Sequence, residues 1–360
     1  MCDVKEVVIA CPSLDLSKNI GGISSVAGFV IKHNNLYHYT HFEIGKYDNE
    51  KRSLSYAFRI ARIWSKWFFL MIFSNGLLVH FNFALEKRAI IRDSPLILFA
   101  QLMKKPLVLH VHGGLYLDKE DIPHWVRYML EWILGSQKPK IVLSNTEKDT
   151  IIRKYNARNV HVLPNSADIG EALNFKKNFG AKSILTLLYI GRITKAKGIE
   201  YIYKALKELK RNMVPFRFIL AGNGEDKEEY LDKFSGTFGD DFEYRGVVCG
   251  IEKTRLLKES DVFILPSLYE GLPVALLECM AYSIVPLVTD VGSVKSVVED
   301  GKNGIILGMH SFEDISDAIM RFHNDESLLE RLGANAQRSI FEKFNPENYI
   351  NTLNKIYELA

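Results

Sequence analysis

Short apolar runs alternate with longer amphipathic stretches along the first half of the chain. The runs are rich in β-branched residues, which favours buried strands, and the stretches between them have apolar residues at helical spacing. Strands are predicted at residues 7–10, 77–81, 107–111, 141–143 and 161–163. Alternating strands and helices form parallel sheets through right-handed crossovers. This half is therefore predicted to be a doubly wound α/β domain.

The same alternation begins again in the second half. Strands are predicted at residues 185–190, 216–221, 242–244, 262–265, 285–288 and 304–307. The polar segment 165–182 between the halves shows no clear strand and is predicted to contain the interdomain hinge. We therefore predict a first domain over residues 1–170 and a second over 183–345.

Composition narrows the class of protein. The chain has 360 residues, of which 47% are hydrophobic and 25% charged, as in globular proteins. A net charge of +3 disfavours nucleic acid as a partner. The cysteines Cys2, Cys11, Cys249 and Cys279 show neither a CxxC pair nor metal-ligand spacing, so a reducing compartment is expected. With no signal sequence or transmembrane segment recognised, we expect a cytoplasmic protein.

The richest motif is DVFILPSLYEGLPVALLECMA at residues 261–281. It predicts a buried strand, a turn, a loop and then a helix that begins near Pro273. The backbone amides of Gly271 and Leu272 precede this helix, and helix N-termini bind anions. Glu270 in the loop and Glu278 in the helix can reach one crevice, where their carboxylates suit sugar hydroxyls. Taken singly, such glutamates are more often solvated.

This motif resembles the Glu, seven residues, Glu signature of retaining GT-B glycosyltransferases of the group 1, family 4 type. The resemblance extends to residues 187–206, 220–226 and 289–307. It implies the GT-B fold, in which two Rossmann-like domains face each other across a cleft. It also implies that the first domain binds the acceptor, that the second binds a nucleotide sugar, and that the last helix, 346–360, packs back on the first domain.

The resemblance assigns further roles in the second domain. Arg192 and Lys197 lie in a strand-to-helix connection and are expected to clamp the donor diphosphate. By themselves they would more often be surface charges. Gly222 and Gly224 allow a tight turn, for which a structural role comes first. Val247 is implied to lie near the nucleobase.

Two elements of the first half are weaker candidates for donor contacts. Gly21 and Gly22 precede a helix and can bring amides close to sugar or phosphate, although a plain helix cap explains them equally well. His112, in HVHGG, occupies the position of a family histidine that contacts the donor sugar; the alternative is a structural histidine, as predicted for His110. Ser166 replaces the usual glycine of a PNG-type segment.

The expected reaction is retaining transfer of a hexosyl or N-acetylhexosaminyl group from a nucleoside-diphosphate sugar, UDP favoured over GDP. The acceptor implied is a glycan or a lipid-linked glycan of cell-surface polysaccharide. Arg192, Lys197 and helix amides would stabilise the leaving diphosphate, and we favour a positioning role for Glu270 over a nucleophilic one. No DxD motif is placed for a metal, so neither metal nor cofactor is expected.

Other functions remain open on the same scaffold. A non-catalytic sugar-nucleotide binding protein and a nucleotide-sugar epimerase are the alternatives. An NAD dehydrogenase is disfavoured because no G-x-G-x-x-G follows the first strand.

The segment 51–73 mixes basic and aromatic residues at helical spacing. Such a helix can lie on an anionic membrane, which would place the protein at the inner face. A core helix with one solvated basic face is the alternative.

Overall fold

The computed structural model describes residues 6–48, 50–180 and 184–360. The chain divides into two compact units, Met1–Asn165 with Pro346–Ala360, and Ser166–Asn345. Each unit has a six-stranded sheet whose strands pair in parallel. The prediction of two doubly wound α/β domains is therefore confirmed. Cys2, Lys182 and Ser183, which entered the sequence predictions, lie outside the described residues.

The first sheet has the strand order β2-β1-β3-β4-β5-β6. Its strands are β1 Glu6–Cys11, β2 His38–Glu43, β3 Leu78–Phe83, β4 Leu107–Val111, β5 Lys140–Val142 and β6 Val160–Val162. The helices of this unit are α1 Gly22–His33, α2 Leu54–Phe73, α3 Lys87–Leu102, α4 Leu115–Asp118, α5 His124–Leu134, α6 Asn145–Tyr155 and, from the C-terminus, α13 Pro346–Tyr357.

Strand β2 was missed by the sequence analysis. Its sequence HYTHFE has no apolar run, and every residue in it is exposed or partly exposed. The strand forms because its backbone pairs in parallel with β1, from Glu6 opposite His38 to Cys11 opposite Glu43. An edge strand needs no apolar face of its own when its neighbour supplies the hydrogen bonds.

Residues of the first sheet point alternately into two cores. Val8 and Ala10 join the core beneath α2, α3, α5 and α6, whereas Val7 and Ile9 join the core beneath α1 and α13. Helix α13 thus completes one face of the first sheet although it follows the second unit in sequence. Tyr349, Leu353 and Ile356 supply its buried side.

The second sheet has the strand order β12-β11-β10-β7-β8-β9. Its strands are β7 Leu185–Arg192, β8 Phe216–Asn223, β9 Phe242–Gly246, β10 Val262–Leu265, β11 Val285–Thr289 and β12 Ile305–Leu307. Its helices are α7 Ile199–Arg211, α8 Lys227–Phe238, α9 Gly250–Glu259, α10 Val274–Ala281, α11 Glu313–Asn324 and α12 Glu326–Lys343.

Residues 166–180, for which the sequence suggested few contacts, pack on the second unit. Ser166 is buried and donates to the backbone oxygen of Phe344. Lys177 forms an ion pair of 3.3 Å with Asp261, and the side chains of both are almost fully buried. The sequence did not indicate this packing because the segment buries single charged and aromatic side chains, and such burial leaves no apolar periodicity.

A helix is confirmed in segment 51–73, but it begins only at Leu54, after the Ser53 N-cap. Some of its side chains are buried and others are exposed. Trp67 is fully buried and donates to the Leu96 carbonyl oxygen at 2.9 Å. Arg59 is held by Glu50 at 2.5 Å and lies over the Tyr47 ring. These residues therefore belong to the folded unit rather than to a basic outer surface. Over the described part of the chain, no helix combines the length and apolarity that crossing a membrane requires.

We predict that Lys177→Met destabilises the fold, because it leaves the Asp261 carboxylate buried without its cation. Losing one partner of a buried pair costs about 3 kcal/mol or more. Urea unfolding should show this loss, whereas Lys176→Met, at the exposed neighbouring position, should leave the unfolding free energy nearly unchanged. Equal stabilities of the two variants would contradict the importance of the pair.

Candidate functional site

In each sheet the strand order reverses at one place, here called the switch point. In the second sheet this point lies between β7 and β10, and in the first between β1 and β3. Loops that leave the carboxyl ends of such strand pairs diverge to opposite faces of the sheet and leave a crevice, where open α/β proteins bind ligands. Most of the residues predicted to bind the donor follow these strands.

The loop after β10 brings together two predicted residues. Glu270 Oε2 lies 2.7 Å from Lys197 Nζ, and Glu270 Oε1 accepts a hydrogen bond of 2.7 Å from Ser267 Oγ. Both charged side chains are mostly buried, with exposed fractions of 22% for Lys197 and 10% for Glu270. A cation and a carboxylate are thus fixed at the β7–β10 switch point.

Close backbone contacts hold this loop in place. A Cβ at Gly198 would lie 2.1 Å from the Pro266 carbonyl oxygen, and one at Gly292 would lie 2.2 Å from that of Glu270. Both glycines also have positive φ. Hydrogen bonds from Leu268 N to Ala196 O and from Ser293 N to Gly271 O complete the attachment. The Glu270 loop is therefore clamped between the β7 and β11 connections.

Arg192 is the last residue of β7, and it is exposed. It lies close to Lys197 in sequence but is less enclosed than Lys197. Its carbonyl oxygen accepts a hydrogen bond from the Tyr189 hydroxyl. Burial, and secondarily the charge of Glu270, raises the pKa of Tyr189 well above its ordinary value. A neutral tyrosine therefore lies next to Arg192 and Glu270.

Gly222, near the end of β8, and Gly224, just after it, have the structural role predicted first. A Cβ at Gly222 would lie 1.8 Å from the Gly191 carbonyl oxygen, and one at Gly224 would lie 2.2 Å from that of Ile193. Val247 follows β9 and is 40% exposed at the same carboxyl edge. Nothing larger than hydrogen fits at the two glycines, so they bring the β7 and β8 loops together.

Helix α10 begins at Val274, with Pro273 as its N-cap, so Gly271 and Leu272 lie just before it as predicted. Glu278 lies in the second turn, where Lys253 of α9 approaches its carboxylate oxygens at 2.6 and 2.5 Å. The two predicted glutamates are therefore each paired with a different lysine. Lys253 was not foreseen, since no spacing rule links α9 to α10.

In the first unit, Gly21 is the N-cap of α1 and Gly22 its first residue. Asn19 Oδ1 accepts hydrogen bonds from Gly21 N at 2.8 Å and from Ser24 Oγ at 3.0 Å. A Cβ added at Gly22 would meet no atom within 4 Å. The glycine pair is thus a helix cap with open space beside Gly22, which agrees with both sequence interpretations.

His112 follows β4 and is partly exposed. Its Nε2 atom lies 2.6 Å from Asn82 Oδ1. Asn82 donates through its amide nitrogen to the Ala10 carbonyl oxygen, so its oxygen must accept from His112. Burial lowers the pKa of His112 to about 3. The ring is therefore neutral with its proton on Nε2, and Nδ1 is an acceptor.

Two more histidines lie behind His112. His110 stacks on its ring with centroids 4.0 Å apart, and His80 Nε2 lies 3.2 Å from His110 Nδ1. His80 Nδ1 lies 2.7 Å from the Tyr357 hydroxyl of α13. Burial lowers the pKa of His80 to about 3 and that of His110 well below its ordinary value. His110 has the structural role predicted for it.

Several partners in these arrangements were not identified from the sequence. Ser267, Asn82, Lys253 and Gly292 each hold a predicted residue in place. Of these four residues, Ser267 was the easiest to identify from the sequence, because it lies inside the recognised motif. Among the described residues, no three His, Cys, Asp or Glu side chains gather as a metal site would require.

Comparisons with known proteins find similarity to glycosyltransferases. Residues 171–339 match the family model described as Glycosyl transferases group 1. The α-D-kanosaminyltransferase of Streptomyces kanamyceticus is 28% identical over 66% of this chain and 67% of its own length. The UDP-Gal:α-D-GlcNAc-diphosphoundecaprenol α-1,3-galactosyltransferase of Escherichia coli is 25% identical over 72% of this chain and 70% of its own.

Solved structures give the fold. Sucrose-phosphate synthase from Thermosynechococcus elongatus superposes with a TM-score of 0.77 at 15% identity, over 98% of both chains. HepE from Anabaena in complex with UDP-glucose superposes with a TM-score of 0.72 at 14% identity, over 99% of this chain and 100% of its own. The fold is that of the GT-B glycosyltransferases. The chain thus has the GT-B fold, and the region that matches the group 1 model lies within the second unit.

The lowered pKa values of His80, His110 and His112 predict a pH dependence of stability. Their folded pKa values lie below the unfolded value of about 6.5, so their contribution is present above that pH and is lost as the pH falls toward their folded values. Each histidine should lower the unfolding free energy by about 1.4 kcal/mol per pH unit below 6.5.

Urea unfolding between about pH 7 and about pH 5 measures this slope. The ¹⁵N NMR shifts of the three rings should show neutral imidazole throughout that range in the folded protein. Rings that titrate near their ordinary pKa in the folded chain would contradict the neutral arrangement.

Proposed function

We propose that the chain is a retaining glycosyltransferase that moves a hexosyl or N-acetylhexosaminyl group from a UDP-sugar to a glycan or lipid-linked acceptor in cell-surface polysaccharide synthesis. The observation that carries the proposal is the Lys197–Glu270–Ser267 cluster at the β7–β10 switch point. It combines a cation for phosphate with a carboxylate for sugar hydroxyls at the position where α/β proteins bind ligands.

The diphosphate needs positive charge, because negative charge grows on it as the glycosidic bond breaks. Arg192 and Lys197 supply two cations beside the connection that leads into α7, and Gly271 and Leu272 lie at the N-terminus of α10. These groups stabilise the leaving diphosphate without a metal or a cofactor. The nucleotide sugar is then a co-substrate, with Val247 beside the base.

Glu270 positions the sugar rather than attacking it. Its two oxygens are already engaged by Ser267 and Lys197, which fixes the carboxylate and neutralises part of its charge. A carboxylate fixed in this way suits hydrogen bonds from the hydroxyls of the donor sugar. The hydroxyl of the glycan or lipid-linked acceptor then attacks from the face of the departing phosphate. His112, neutral with Nδ1 as an acceptor, suits a further sugar hydroxyl.

Relatives support the acceptor class. One similar protein is named for transfer to GlcNAc-diphosphoundecaprenol, and another, from Staphylococcus aureus, for transfer of N-acetylglucosamine to poly(ribitol-phosphate). We propose that this chain also works on such an acceptor, in the cytoplasm at the inner face of the membrane, with segment 51–73 contacting lipid.

A non-catalytic sugar-nucleotide binding protein and an epimerase remain distinguishable by experiment. A transferase hydrolyses its donor slowly when no acceptor is present and releases nucleotide and free sugar. A binding protein releases neither, and an epimerase returns an isomeric nucleotide sugar. Assaying a panel of UDP- and GDP-sugars identifies the donor at the same time.

We predict that Arg192→Ala and Lys197→Ala lower donor turnover, because each removes a cation at the position where charge develops. The expected loss is about 2 to 4 kcal/mol in the activation free energy, or roughly 30- to 1,000-fold. Lys195→Ala is the matched control, since this lysine lies in the same turn but is 64% exposed and pairs with Glu229. Turnover close to wild type in both site variants would refute the assignment.

We predict that Glu278→Ala raises the nucleotide dissociation constant by removing a carboxylate from the donor ribose, while Glu270→Ala lowers turnover more than affinity. Because Lys253 holds the Glu278 carboxylate, Lys253→Ala separates two roles. If Glu278 binds the ribose, the lysine variant keeps most of the affinity. Calorimetry that finds equal losses in the Glu278 and Lys253 variants would show that the pair is only structural.

A further inference from the structure

Helices α2, α3 and α5 lie side by side on one face of the first sheet. Their inward residues join a single core. The Phe68 and Phe99 rings, 4.6 Å apart, connect α2 to α3, and Gln101 Nε2 donates to the Ile133 carbonyl oxygen at 3.2 Å, which connects α3 to α5. The outward surfaces of the three helices therefore form one continuous area, here named the three-helix face.

Helix α5 exposes a row of aromatic rings on this face. Trp125, Tyr128 and Trp132 are 44%, 71% and 61% exposed and recur at helical spacing. The opposite side of α5 already supplies the core through Val126, Leu130, Ile133 and Leu134. The outer rings thus contribute nothing to the core, and large aromatic groups in contact with water mark an interaction surface.

Helix α2 combines exposed rings with cations. Phe58, Phe69 and Phe73 are 76%, 65% and 66% exposed, and Arg62 and Lys66 project between them. Segment 51–73 contains no Asp or Glu. Between α2 and α5, helix α3 adds Ile91 and Leu102, at 53% and 75% exposure. The face is therefore apolar and aromatic across its width and basic along α2.

We propose that the three-helix face docks on an anionic lipid surface, with the α5 rings and the α2 cations binding together. The inference rests on the proposed function for its purpose, access to a lipid-linked acceptor, and extends the proposed contact of segment 51–73 to α3 and α5. Tryptophan and tyrosine favour the headgroup region because each ring is apolar with one polar tip.

Charge selects lipid over a second copy of the chain. A two-fold interface centred on α2 would bring its cations against the same segment of the second copy, and segment 51–73 offers no carboxylate. An anionic surface supplies the missing charge. At its α5 end the face borders an open cavity of about 710 Å³, where Lys138 and Arg158 lie with Trp132 and Glu131 in the lining. These cations lie next to the aromatic row.

Vesicle sedimentation with the full chain tests the proposal, using phosphatidylcholine alone or mixed with phosphatidylglycerol at low and high ionic strength. The ring variant replaces Trp125, Tyr128 and Trp132 by Ser, and the cation variant replaces Arg62 and Lys66 by Ser. The control replaces Leu36 and Ile251, exposed large apolar residues outside the face, by Ser. Circular dichroism verifies that each variant is folded.

Wild type should pellet with the anionic vesicles and be released by salt. The cation variant should lose about 30-fold in partitioning, or roughly fivefold for each cation, and the ring variant about 100-fold or more. The control should bind like wild type. All four tryptophans lie in segment 51–73 and α5, so bromolipids should quench wild-type fluorescence.

Four outcomes would overturn the proposal. They are a folded ring variant that binds like wild type, wild type that binds no vesicles, equal loss in the control, and a wild-type dimer that the ring variant converts to monomer without any lipid binding. If only the cation variant loses binding, lipid contact is confined to α2 and the three-helix face is rejected.

Donor hydrolysis without lipid separates this proposal from the proposed function. The ring variant should retain wild-type hydrolysis, because it alters no residue assigned to the donor. Absence of hydrolysis in wild type would count against the transferase assignment while leaving the vesicle result intact.

Discussion

The candidate donor site depends on backbone segments that approach too closely for any side chain. Gly198 lies against Pro266, and Gly292 against Glu270, at distances that only hydrogen in place of a Cβ permits. These contacts tie the connections after β7, β10 and β11 into one rigid edge. Because the loops cannot separate, Lys197 and Glu270 are held within ion-pair distance before any ligand arrives. Preorganisation of this kind lowers the reorganisation needed when charge develops.

Charge is distributed differently in the two units. The second unit concentrates ionised groups at its carboxyl edge, with Lys197 paired to Glu270 and Lys253 to Glu278. The first unit places neutral histidines behind its edge, where burial lowers their pKa values. One edge therefore suits a diphosphate, and the other suits hydroxyl groups that need uncharged hydrogen-bond partners.

Helix α13 shows how a distant segment supports the first unit. Tyr357 hydrogen bonds to His80, and Asn354 accepts a hydrogen bond from Asn34 at 2.7 Å. Both contacts lie in the core beneath α1. The opposite face of the same sheet carries α2, α3 and α5, whose outward rings make no comparable contribution to the core. The two faces of one sheet are thus specialised, one for internal completion and one for exposure.

The sequence alone determined the doubly wound fold, most of the strands and the positions of Arg192, Lys197, Glu270 and Glu278 relative to strand ends. These follow from periodicity and local motifs, which act over neighbouring residues. It did not reveal β2, whose strand depends on pairing with β1. Only the tertiary structure decided that Lys197 faces Glu270, that Lys253 faces Glu278, and that Arg59 and Trp67 turn inward while Trp125 and Trp132 remain exposed. Each of these depends on how elements distant in sequence pack together, and local patterns carry no information about that packing.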